Sequence, residues 1–569
     1  MKNREKFIQI IIFFIGLSFI FRGSEAQTLK TPAEEANYKQ YSQHEEIARF
    51  LSALDAQAKE VAVQIIGRTK EVKGFPSKDL YLCLISDEGA SSPQTLNRNK
   101  LTMMLTASQH GNEQSAKEAA LWLIRDIAVG ELKPLLKKMN FLFIPQTNPV
   151  GNWNDIRENE IELDMNRDHV KLEAEGVQAI HRAFRAYMPE ATIDVHEKGD
   201  DYYRVSIGCV SNNNISAALL DFSRKKILTE VEKSLARKKY TFFEYLVTQE
   251  MGIDSSAGVR YKPEELANRE PMKRYSTTDL NDGRNSLGIY ETLSFIQEGA
   301  SKHDVETLQE RTGWQYSGIR FFTEALAKNS EEALTLVRNL RQSLGENARA
   351  YSDRNMSHLR MDYVRDPQKS VLNLKKFERV ETAVRTLGIL KADKKAGDLL
   401  TAADIGPNPN RGSVKVVDDI VKNWFPNVES KLAVPRPLGY VISAKHRDVV
   451  ETLLLHGITV GIFTKDMPIE VEAYTASDVV PAKYDYLPPE KIDVEKKMLQ
   501  TIVKKGDFYV SCAQEAALLI PSLLEPQSDY GFIRYWKYKI IPEKGDLFAF
   551  TRVVKGQDLA LIPYKNWAR

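Results

Sequence analysis

The chain has 569 residues, 43% of them hydrophobic, and a formal net charge of +2, so it can bury a large core and should divide into at least two domains. This near-neutral charge excludes the strongly basic surface typical of nucleic-acid-binding proteins and gives no reason to expect a nucleic acid or an anionic membrane as partner. The three cysteines, Cys83, Cys209 and Cys512, are too scattered for a disulfide framework, and we interpret them as packing residues.

The first 26 residues have the pattern of a secretory signal peptide. Three basic residues precede an uncharged, mostly apolar run over residues 7–21, which is shorter than the roughly 20 residues that span a bilayer. The small-residue ending at Ala26 is typical of a cleavage site. We therefore predict cleavage after Ala26 and a secreted or periplasmic protein with no stable membrane anchor; an uncleaved anchor is the alternative. Residues 27–41 are too short for a folded inhibitory prodomain, and none is expected.

Strands and helices alternate in the next part of the chain. Apolar residues at helical spacing predict an amphipathic helix within residues 40–60 and further helices over residues 116–127 and 173–187. Short apolar runs predict strands at residues 61–66, 80–86, 101–105, 141–144, 191–195 and 287–297. This alternation, with continuous apolar strands, predicts an α/β fold whose sheet is covered by helices on both faces.

His110 and Glu113 stand three residues apart in the turn that follows the predicted strand 101–105. A nitrogen and an oxygen ligand at this separation can close on one metal ion, and a catalytic zinc site takes three protein ligands and leaves a position for water. In α/β sheets such groups gather at the carboxyl ends of strands. His196 directly follows the predicted strand 191–195, which makes it the best candidate for the third ligand. The alternative is that His110 and Glu113 lie in an ordinary surface turn.

Four motifs follow one another along the chain: His110-x-x-Glu113, Asn148-Pro149-x-Gly151, the charged stretch 157–168, and Asp194-Val195-His196. In this order they resemble the zinc metallocarboxypeptidases of the carboxypeptidase A type. The resemblance implies a mixed, mostly parallel sheet and one Zn²⁺ per chain, bound by His110, Glu113 and His196. It also implies peptide or protein substrates with a free C-terminal carboxylate.

The charged stretch 157–168 contains the residues that would bind the substrate. A C-terminal carboxylate is a planar fork of two oxygens, which a guanidinium meets with two parallel hydrogen bonds. In the family that the chain resembles, an Asn-Arg pair holds this carboxylate, and an earlier arginine polarises the scissile carbonyl and stabilises its oxyanion. Asn166 and Arg167 match the pair, and Arg157 matches the earlier arginine. Asp164 matches the family position that accepts a hydrogen bond from the first zinc histidine.

Peptide hydrolysis also needs a base that takes a proton from water and passes it to the leaving amine. In the family this base is a glutamate at the end of a strand, and Glu298 directly follows the predicted strand 287–297. Glu291 lies in the same stretch, but it begins the apolar run instead of ending it, so we favour Glu298. Many family members also have a tyrosine that covers the substrate; Tyr275 and Tyr290 are both candidates for it.

The catalytic domain is predicted to span residues 27–330, with a helix and linker region over residues 331–433 and an α/β or β-rich accessory domain over residues 434–569. A helix is predicted at residues 330–351 and a loop at residues 406–412. Strand, helix and strand patterns at residues 435–443, 445–455 and 458–463 indicate a small β-α-β unit.

The C-terminal tail is similar to the region that accompanies a bacterial branch of these carboxypeptidases, and we expect it to be structural or to shape the substrate site. An aromatic cluster in this tail is interpreted as core, with carbohydrate or cell-wall binding as the alternative. Its members are Tyr530, Phe532, Tyr535, Trp536 and Tyr538.

The sequence thus favours a secreted zinc carboxypeptidase that hydrolyses C-terminal peptide bonds. A zinc amidase or peptidase that trims cell-wall peptides would use the same site on another substrate. A non-catalytic peptide-binding protein on the same scaffold is the alternative of a different class. It is disfavoured because the three ligand positions and the base position are all filled.

Overall fold

A computed structural model describes residues 29–199, 201–249, 272–300, 306–379, 399–400 and 414–564. The predicted signal peptide and the predicted loop at residues 406–412 lie outside these ranges. Within them, no helix combines the length and the apolar composition that crossing a bilayer requires.

Helices and strands alternate through the first 300 residues, and strands dominate the rest. The elements up to residue 300 are α1 (Pro32–Glu35), α2 (His44–Gln57), β1 (Val61–Arg68), β2 (Asp79–Ile85), β3 (Leu101–Ala107), α3 (Gln114–Ala128), β4 (Met139–Ile144), α4 (Pro149–Asn154), α5 (Glu175–Tyr187), β5 (Ala191–Lys198), β6 (Val205–Cys209), α6 (Ala217–Phe222), α7 (Thr229–Arg237), β7 (Phe242–Glu244), β8 (Leu246–Gln249), β9 (Met272–Tyr275), α8 (Gly283–Gly288) and β10 (Leu293–Ala300). The later elements are α9 (Leu308–Lys328), α10 (Ser330–Asn347), β11 (Met356–Val364), β12 (Leu372–Arg379), β13 (Leu399–Leu400), β14 (Val414–Val421), β15 (Trp424–Phe425), β16 (Asn427–Pro435), β17 (Gly439–Ile442), α11 (Arg447–Leu455), β18 (Gly461–Phe463), β19 (Met467–Val480), β20 (Lys491–Val503), β21 (Phe508–Ser511), α12 (Leu519–Leu524), β22 (Phe550–Val553) and β23 (Leu561–Pro563).

Eight strands form the central sheet, in the order β1-β2-β4-β3-β5-β10-β6-β7. The four middle strands β4, β3, β5 and β10 are parallel to one another, whereas β1, β2 and β6 add antiparallel pairings. Every residue of β3, β4 and β10 is buried. Because successive side chains of a strand point to opposite faces, both faces of these strands are covered. The predicted α/β fold is confirmed.

The helical spacing read from the sequence corresponds to buried faces. Helix α2 buries Ile47, Phe50, Leu51 and Leu54, the four positions that predicted it. Helix α3 contacts β3 and β5, the two strands whose carboxyl ends precede or carry the predicted metal ligands. The three cysteines are buried free thiols, as their interpretation as packing residues requires.

The predicted strand at residues 287–297 is wrong in its first half. Asp282 accepts a hydrogen bond from the backbone N–H of Asn285 at 2.6 Å and starts helix α8, which runs to Gly288. Glu291 then has a φ of 52°, in the left-handed region, which ends the turn before β10 begins at Leu293. Side-chain capping, which apolar periodicity does not report, decides this segment.

The region predicted as helix and linker contains helix α10 and also several strands that the sequence did not indicate. Strands β11 and β16 pair with each other, and β12 and β13 both pair with β14. Strand β15 pairs in parallel with β9, so it extends a small sheet that begins in the preceding part of the chain. The domain boundaries themselves stay predictions.

The C-terminal part is built on a seven-stranded sheet in the order β20-β19-β22-β17-β21-β18-β23. The predicted β-α-β unit is present as β17, α11 and β18, with β21 between the two strands. Four members of the aromatic cluster are buried, as the core interpretation predicts: Tyr530, Phe532, Tyr535 and Tyr538. The fifth, Trp536, is largely exposed.

Candidate active site

The three predicted metal ligands lie together at the carboxyl ends of β3 and β5. These strands are parallel neighbours, with Thr106 opposite Asp194, so the turn after β3 meets the end of β5. Glu113 Oε1 lies 2.7 Å from His110 Nδ1, and its Oε2 lies 2.8 Å from His196 Nδ1. The two Nδ1 atoms are 3.1 Å apart. Three residues far apart in the sequence thus present two nitrogens and a carboxylate to one point.

The turn that carries His110 and Glu113 is packed too tightly for a side chain at Gly111. A Cβ there would lie 2.1 Å from the carbonyl carbon of Gly151 and 2.4 Å from the carbonyl oxygen of Ile156. The side chain of Asn152 donates a hydrogen bond to the carbonyl oxygen of Gly111 at 2.7 Å. The motif around residues 148–151 therefore supports the metal turn directly.

A carboxylate behind each histidine sets its tautomer. His110 Nε2 donates to Asp164 Oδ1 at 3.1 Å, and His196 Nε2 donates to Asp194 Oδ2 at 2.6 Å. With the proton on Nε2, each Nδ1 presents a lone pair to the common point, as a metal ligand must. Two neutral imidazoles and one carboxylate are the donor set of a catalytic zinc site. The residues present therefore fit Zn²⁺.

The charges around the three predicted ligands also favour a bound cation. Burial alone would lower the pKa of His196, but the carboxylates of Asp194 and Glu113 outweigh it and hold that pKa well above its usual value. Burial would raise the pKa of Glu113, but His110 and His196 outweigh it and hold that pKa far below its usual range. The cluster thus favours positive charge at its centre, which a bound Zn²⁺ would supply.

The sequence analysis did not single out Asp194 as a partner of His196. Asp194 is buried in β5 and also accepts hydrogen bonds from Thr106 Oγ1 at 2.9 Å and Gln109 Nε2 at 2.6 Å. We predict that Asp194→Asn lowers zinc affinity by about 10 to 100-fold, the effect typical of a partner that orients a metal-binding histidine. Competition with a zinc chelator of known affinity measures this. Thr192→Val, a change on the same strand, is the control, and equal losses in both variants would point to general destabilisation.

Two buried histidines, His169 and His181, extend this network inward. His169 Nε2 lies 2.9 Å from Gln109 Oε1, and His169 Nδ1 lies 3.0 Å from His181 Nε2. Both rings are fully buried, and burial lowers the pKa of His169 to about 3. They are therefore neutral, and they support Asp194 through Gln109 instead of binding the metal.

Arg157 is attached to the same cluster. Its Nε and Nη2 both lie 2.9 Å from Asp164 Oδ2. This side-on contact leaves Nη1 3.2 Å from His110 Nδ1 and 3.7 Å from Glu113 Oε1. Burial would raise the pKa of Asp164, but His110 and Arg157 lower it far below its usual value. The structure thus places an N–H group of the Arg157 guanidinium next to two of the three predicted metal ligands, His110 and Glu113.

Asn166 lies beside His196, whereas Arg157 lies beside His110. The Asn166 side-chain oxygen accepts a hydrogen bond from the backbone N–H of Gly283 at 2.8 Å. Its amide nitrogen is 3.4 Å from His196 Nε2, and because that nitrogen already carries a proton for Asp194, the contact is not a hydrogen bond. Asn166 also lines the cleft, with its side-chain oxygen held by Gly283. Arg167 Nη1 donates to the carbonyl oxygen of Asn166 at 2.6 Å.

Glu298 and Glu291, the two candidate bases, have different surroundings. Glu298 lies in β10 directly opposite His196 of β5, and burial raises the pKa of its carboxyl group above the usual value. Glu291 accepts a hydrogen bond from the backbone N–H of Ser216 at 3.2 Å, and burial raises its pKa to about 7. Among the described residues, Glu298 lines the cleft with the ligands and Glu291 does not.

A cleft of about 230 Å³ joins these groups. Its walls include six of the seven predicted site residues: His110, Glu113, Arg157, Asn166, Arg167 and Glu298. The seventh, His196, is buried against His110 and Glu113. Neither Tyr275 nor Tyr290 is among the described residues that line it. Tyr275 packs on Trp424, and Tyr290 donates to the carbonyl oxygen of His456 at 3.2 Å.

Tyr245 is the tyrosine that does line the cleft, and sequence reasoning missed it. Burial and the neighbouring Glu298 carboxylate raise the pKa of its hydroxyl well above the usual value. Tyr245 reaches this position because β7 pairs with β6, which in turn pairs with β10. That long-range pairing has no local signal in the sequence.

Comparison with known proteins finds a family match over part of the chain. Residues 47–198 match the family model described as zinc carboxypeptidase. The matched segment contains all three residues of the metal cluster and also Arg157, Asn166 and Arg167. Over this segment the chain is similar to the zinc carboxypeptidases of the carboxypeptidase A type.

The chain is similar to curated fungal proteins over most of its length. It is 23% identical over 511 residues to "Carboxypeptidase 2" of Trichophyton tonsurans, an alignment that covers 85% of this chain and 81% of the relative. It is 27% identical over 249 residues to "Probable carboxypeptidase 2" of Arthroderma benhamiae, covering 41% and 42% of the two chains. The first alignment is longer than the catalytic region, so the similarity extends into the C-terminal part.

Solved structures of similar proteins include a metallo-carboxypeptidase from Pseudomonas aeruginosa in complex with (2-guanidinoethylmercapto)succinic acid. The chain is 18% identical to it, with a TM-score of 0.36, and the match covers 52% of this chain and 71% of that chain. Carboxypeptidase A from Helicoverpa armigera matches with 13% identity and a TM-score of 0.38, over 53% and 79% of the two chains.

Proposed function

We propose that this protein is a secreted zinc carboxypeptidase that removes single residues from the free C-terminus of peptides and proteins. The observation that carries the proposal is the convergence of His110, Glu113 and His196 beside Glu298 in one cleft. The N-terminal pattern ending at Ala26 supports secretion. The donor set supports one zinc ion per chain, bound by the three ligands.

The bound zinc ion and Glu298 would have different roles in hydrolysis. Zinc, when bound, supplies Lewis acidity that polarises a carbonyl and makes water a stronger acid. Glu298 takes the proton from the attacking water and then donates it to the leaving amine. The raised pKa of its carboxyl group suits this exchange, since an acid that shuttles a proton works best when its pKa approaches the working pH.

The arginines would act at two different places on the substrate. Nη1 of Arg157 lies at the edge of the ligand cluster, where it can donate to the oxyanion that forms on the scissile carbonyl. Arg167 and the amino group of Asn166 would bind the terminal carboxylate, since Asn166 already has its oxygen engaged by Gly283. Holding the carboxylate on one side and the carbonyl on the other sets the scissile bond between them.

The test compares one peptide in two forms, with a free C-terminal carboxylate and with a C-terminal amide, using the purified mature protein. Release of single residues from the free form, and at least tenfold slower release from the amide, is expected. Metal analysis should find one zinc per chain. Equal rates on both forms would contradict the binding of a terminal carboxylate.

The two alternatives make different predictions for the same material. An enzyme that trims cell-wall peptides would release residues from peptidoglycan stem peptides and leave ordinary peptides intact. A non-catalytic binding protein would contain no stoichiometric zinc and would show no chelator-sensitive hydrolysis. The filled ligand and base positions favour an enzyme over the non-catalytic binding protein.

A further inference from the structure

We infer that the C-terminal part of the chain positions Asn166 from outside the cleft, with Arg534 and Tyr535 as the positioning residues. They act on the cleft loop, defined as residues 276–282, which joins β9 to α8. This inference rests on the proposed role of Asn166 in binding the substrate carboxylate. It assigns the C-terminal part a specific contribution to substrate binding.

The cleft loop has one face toward the substrate and the other toward the C-terminal part. Ser276, Thr277 and Asp282 line the cleft. On the other side, Arg534 Nη1 donates to both carboxylate oxygens of Asp279 at 2.9 Å, and both side chains are only 1% exposed. The loop is therefore anchored by a buried, charge-assisted contact.

Two further contacts anchor the residues on each side of Asp279. The hydroxyl of Tyr535 accepts a hydrogen bond from Asn281 Nδ2 at 2.6 Å. The hydroxyl of Tyr530 donates to Thr278 Oγ1 at 3.1 Å. All of these groups are buried. Each contact therefore gives a buried polar group of the loop the hydrogen-bond partner that water would otherwise provide. A short segment of the C-terminal part thus binds the side chains of three loop residues, Thr278, Asp279 and Asn281.

The loop transmits this position to Asn166 through α8. Asp279 Oδ1 accepts from the backbone N–H of Asn281 at 3.1 Å, and Asp282 caps α8 at the next turn. Gly283, the first residue of α8, donates its N–H to Asn166 Oδ1 at 2.8 Å. This bond decides which end of the Asn166 amide faces the cleft. If Gly283 moved away, the amide could rotate and offer an oxygen to an anionic substrate group.

The start of α8 has almost no freedom to adjust by itself. A Cβ on Gly283 would lie 2.8 Å from Gln109 Nε2 and 2.9 Å from Asp194 Oδ2. Gly283 therefore packs directly against Gln109 and Asp194, the hydrogen-bonded residues next to His196. A small displacement of the loop would therefore also move the N–H group that binds Asn166. Arg534 is not among the described residues that line the cleft, so any effect on the substrate must pass through the loop.

The test measures kcat, KM and zinc content for Arg534→Lys and Tyr535→Phe, with a peptide that has a free C-terminus as substrate. We expect KM to rise about tenfold for Arg534→Lys and less for Tyr535→Phe. We expect kcat to stay within about threefold and zinc content to be unchanged, because neither residue touches the ligands. A merely structural role would lower the folded fraction without changing the KM of the protein that remains folded.

Two controls keep the test decisive. Arg552→Lys changes another buried arginine of the C-terminal part, whose partners Glu472, Glu525 and Pro435 lie away from the cleft loop; its KM should match that of the wild type. If Arg534→Lys does not fold, the double variant Arg534→Met with Asp279→Asn removes the ion pair without leaving a buried charge. It should show the same rise in KM.

Coupling to Asn166 decides whether the effect follows the proposed route. In an Asn166→Ala background, Arg534→Lys should change KM by less than about twofold, because residues that act in series are not additive. An unchanged KM in the Arg534 variants, or an undiminished effect in the Asn166→Ala background, overturns the inference. Failure of the wild-type protein to release C-terminal residues would instead overturn the proposed function, and the two failures are distinguishable.

Discussion

Glu298→Gln is expected to lower kcat by about 10² to 10⁴-fold, because an amide cannot accept the proton that the attacking water must lose. Glu298 lies opposite His196 on the neighbouring strand and is not one of the three converging ligands. Zinc content should therefore stay at the wild-type level. Steady-state kinetics with a peptide substrate, together with metal analysis of the same sample, measures both quantities.

Glu291→Gln is the matched control for this prediction. The substitution is the same, it lies in the same stretch of sequence, and the glutamine oxygen can still accept from the N–H of Ser216. We expect its kcat to stay within about twofold of the wild type. An inactive Glu291→Gln variant beside an active Glu298→Gln variant would reassign the base.

Arg157→Ala is expected to lose about 2 to 4 kcal/mol of transition-state stabilisation, which is the usual worth of a donor placed at a developing oxyanion. At about 1.4 kcal/mol per tenfold change, this corresponds to a roughly 30 to 1,000-fold fall in kcat/KM. The Nη1 atom lies 3.2 Å from His110 Nδ1, at the edge of the ligand cluster. Kinetics on zinc-saturated protein measures the loss.

The variant Asp164→Asn separates this effect from a change in metal binding. Asp164 joins Arg157 to His110, so removing its charge should weaken zinc binding while leaving the arginine in the cleft. We expect zinc-saturated Asp164→Asn to retain most of its kcat, whereas Arg157→Ala should not recover at any zinc concentration. Full activity of Arg157→Ala would show that the arginine has no role in stabilising the oxyanion.

The metal cluster could be predicted from the sequence because its geometry follows from strand ends. His110 and Glu113 leave one buried apolar strand and His196 lies at the end of another. Once those strands are parallel neighbours, their carboxyl ends have to meet. The prediction therefore needed only the apolar runs and the positions of three residues relative to them.

The parts that the sequence did not reveal depend on contacts between distant segments. Tyr245 reaches Glu298 through the pairing of β7 with β6, and Gln109 reaches His169 across the interior. Strand β11 buries every second residue, but its partner β16 lies more than sixty residues away, and an isolated pair of strands gives a weak pattern. Such contacts appear only after the chain has folded.

The start of β10 was mispredicted for a local reason. The apolar residues from Leu287 onward suit a strand, yet Asp282 caps a helix that includes Leu287. One side-chain hydrogen bond outweighs a few apolar positions in so short a segment. The end of the predicted apolar run does lie in β10, and Glu298 follows it inside the strand, which continues to Ala300. Its role as the base stays a prediction.

Glu298 pairs directly with His196 on the adjacent parallel strand, and this pairing limits how the site can evolve. The separation between the two side chains is set by the backbone pairing of β5 and β10, which rests on main-chain hydrogen bonds that every residue except proline can make. Surface loops around the mouth can therefore be lengthened, exchanged or retuned without disturbing it. A shift of one residue in the register between β5 and β10, by contrast, would turn one of the two side chains to the other face of the sheet and separate the pair.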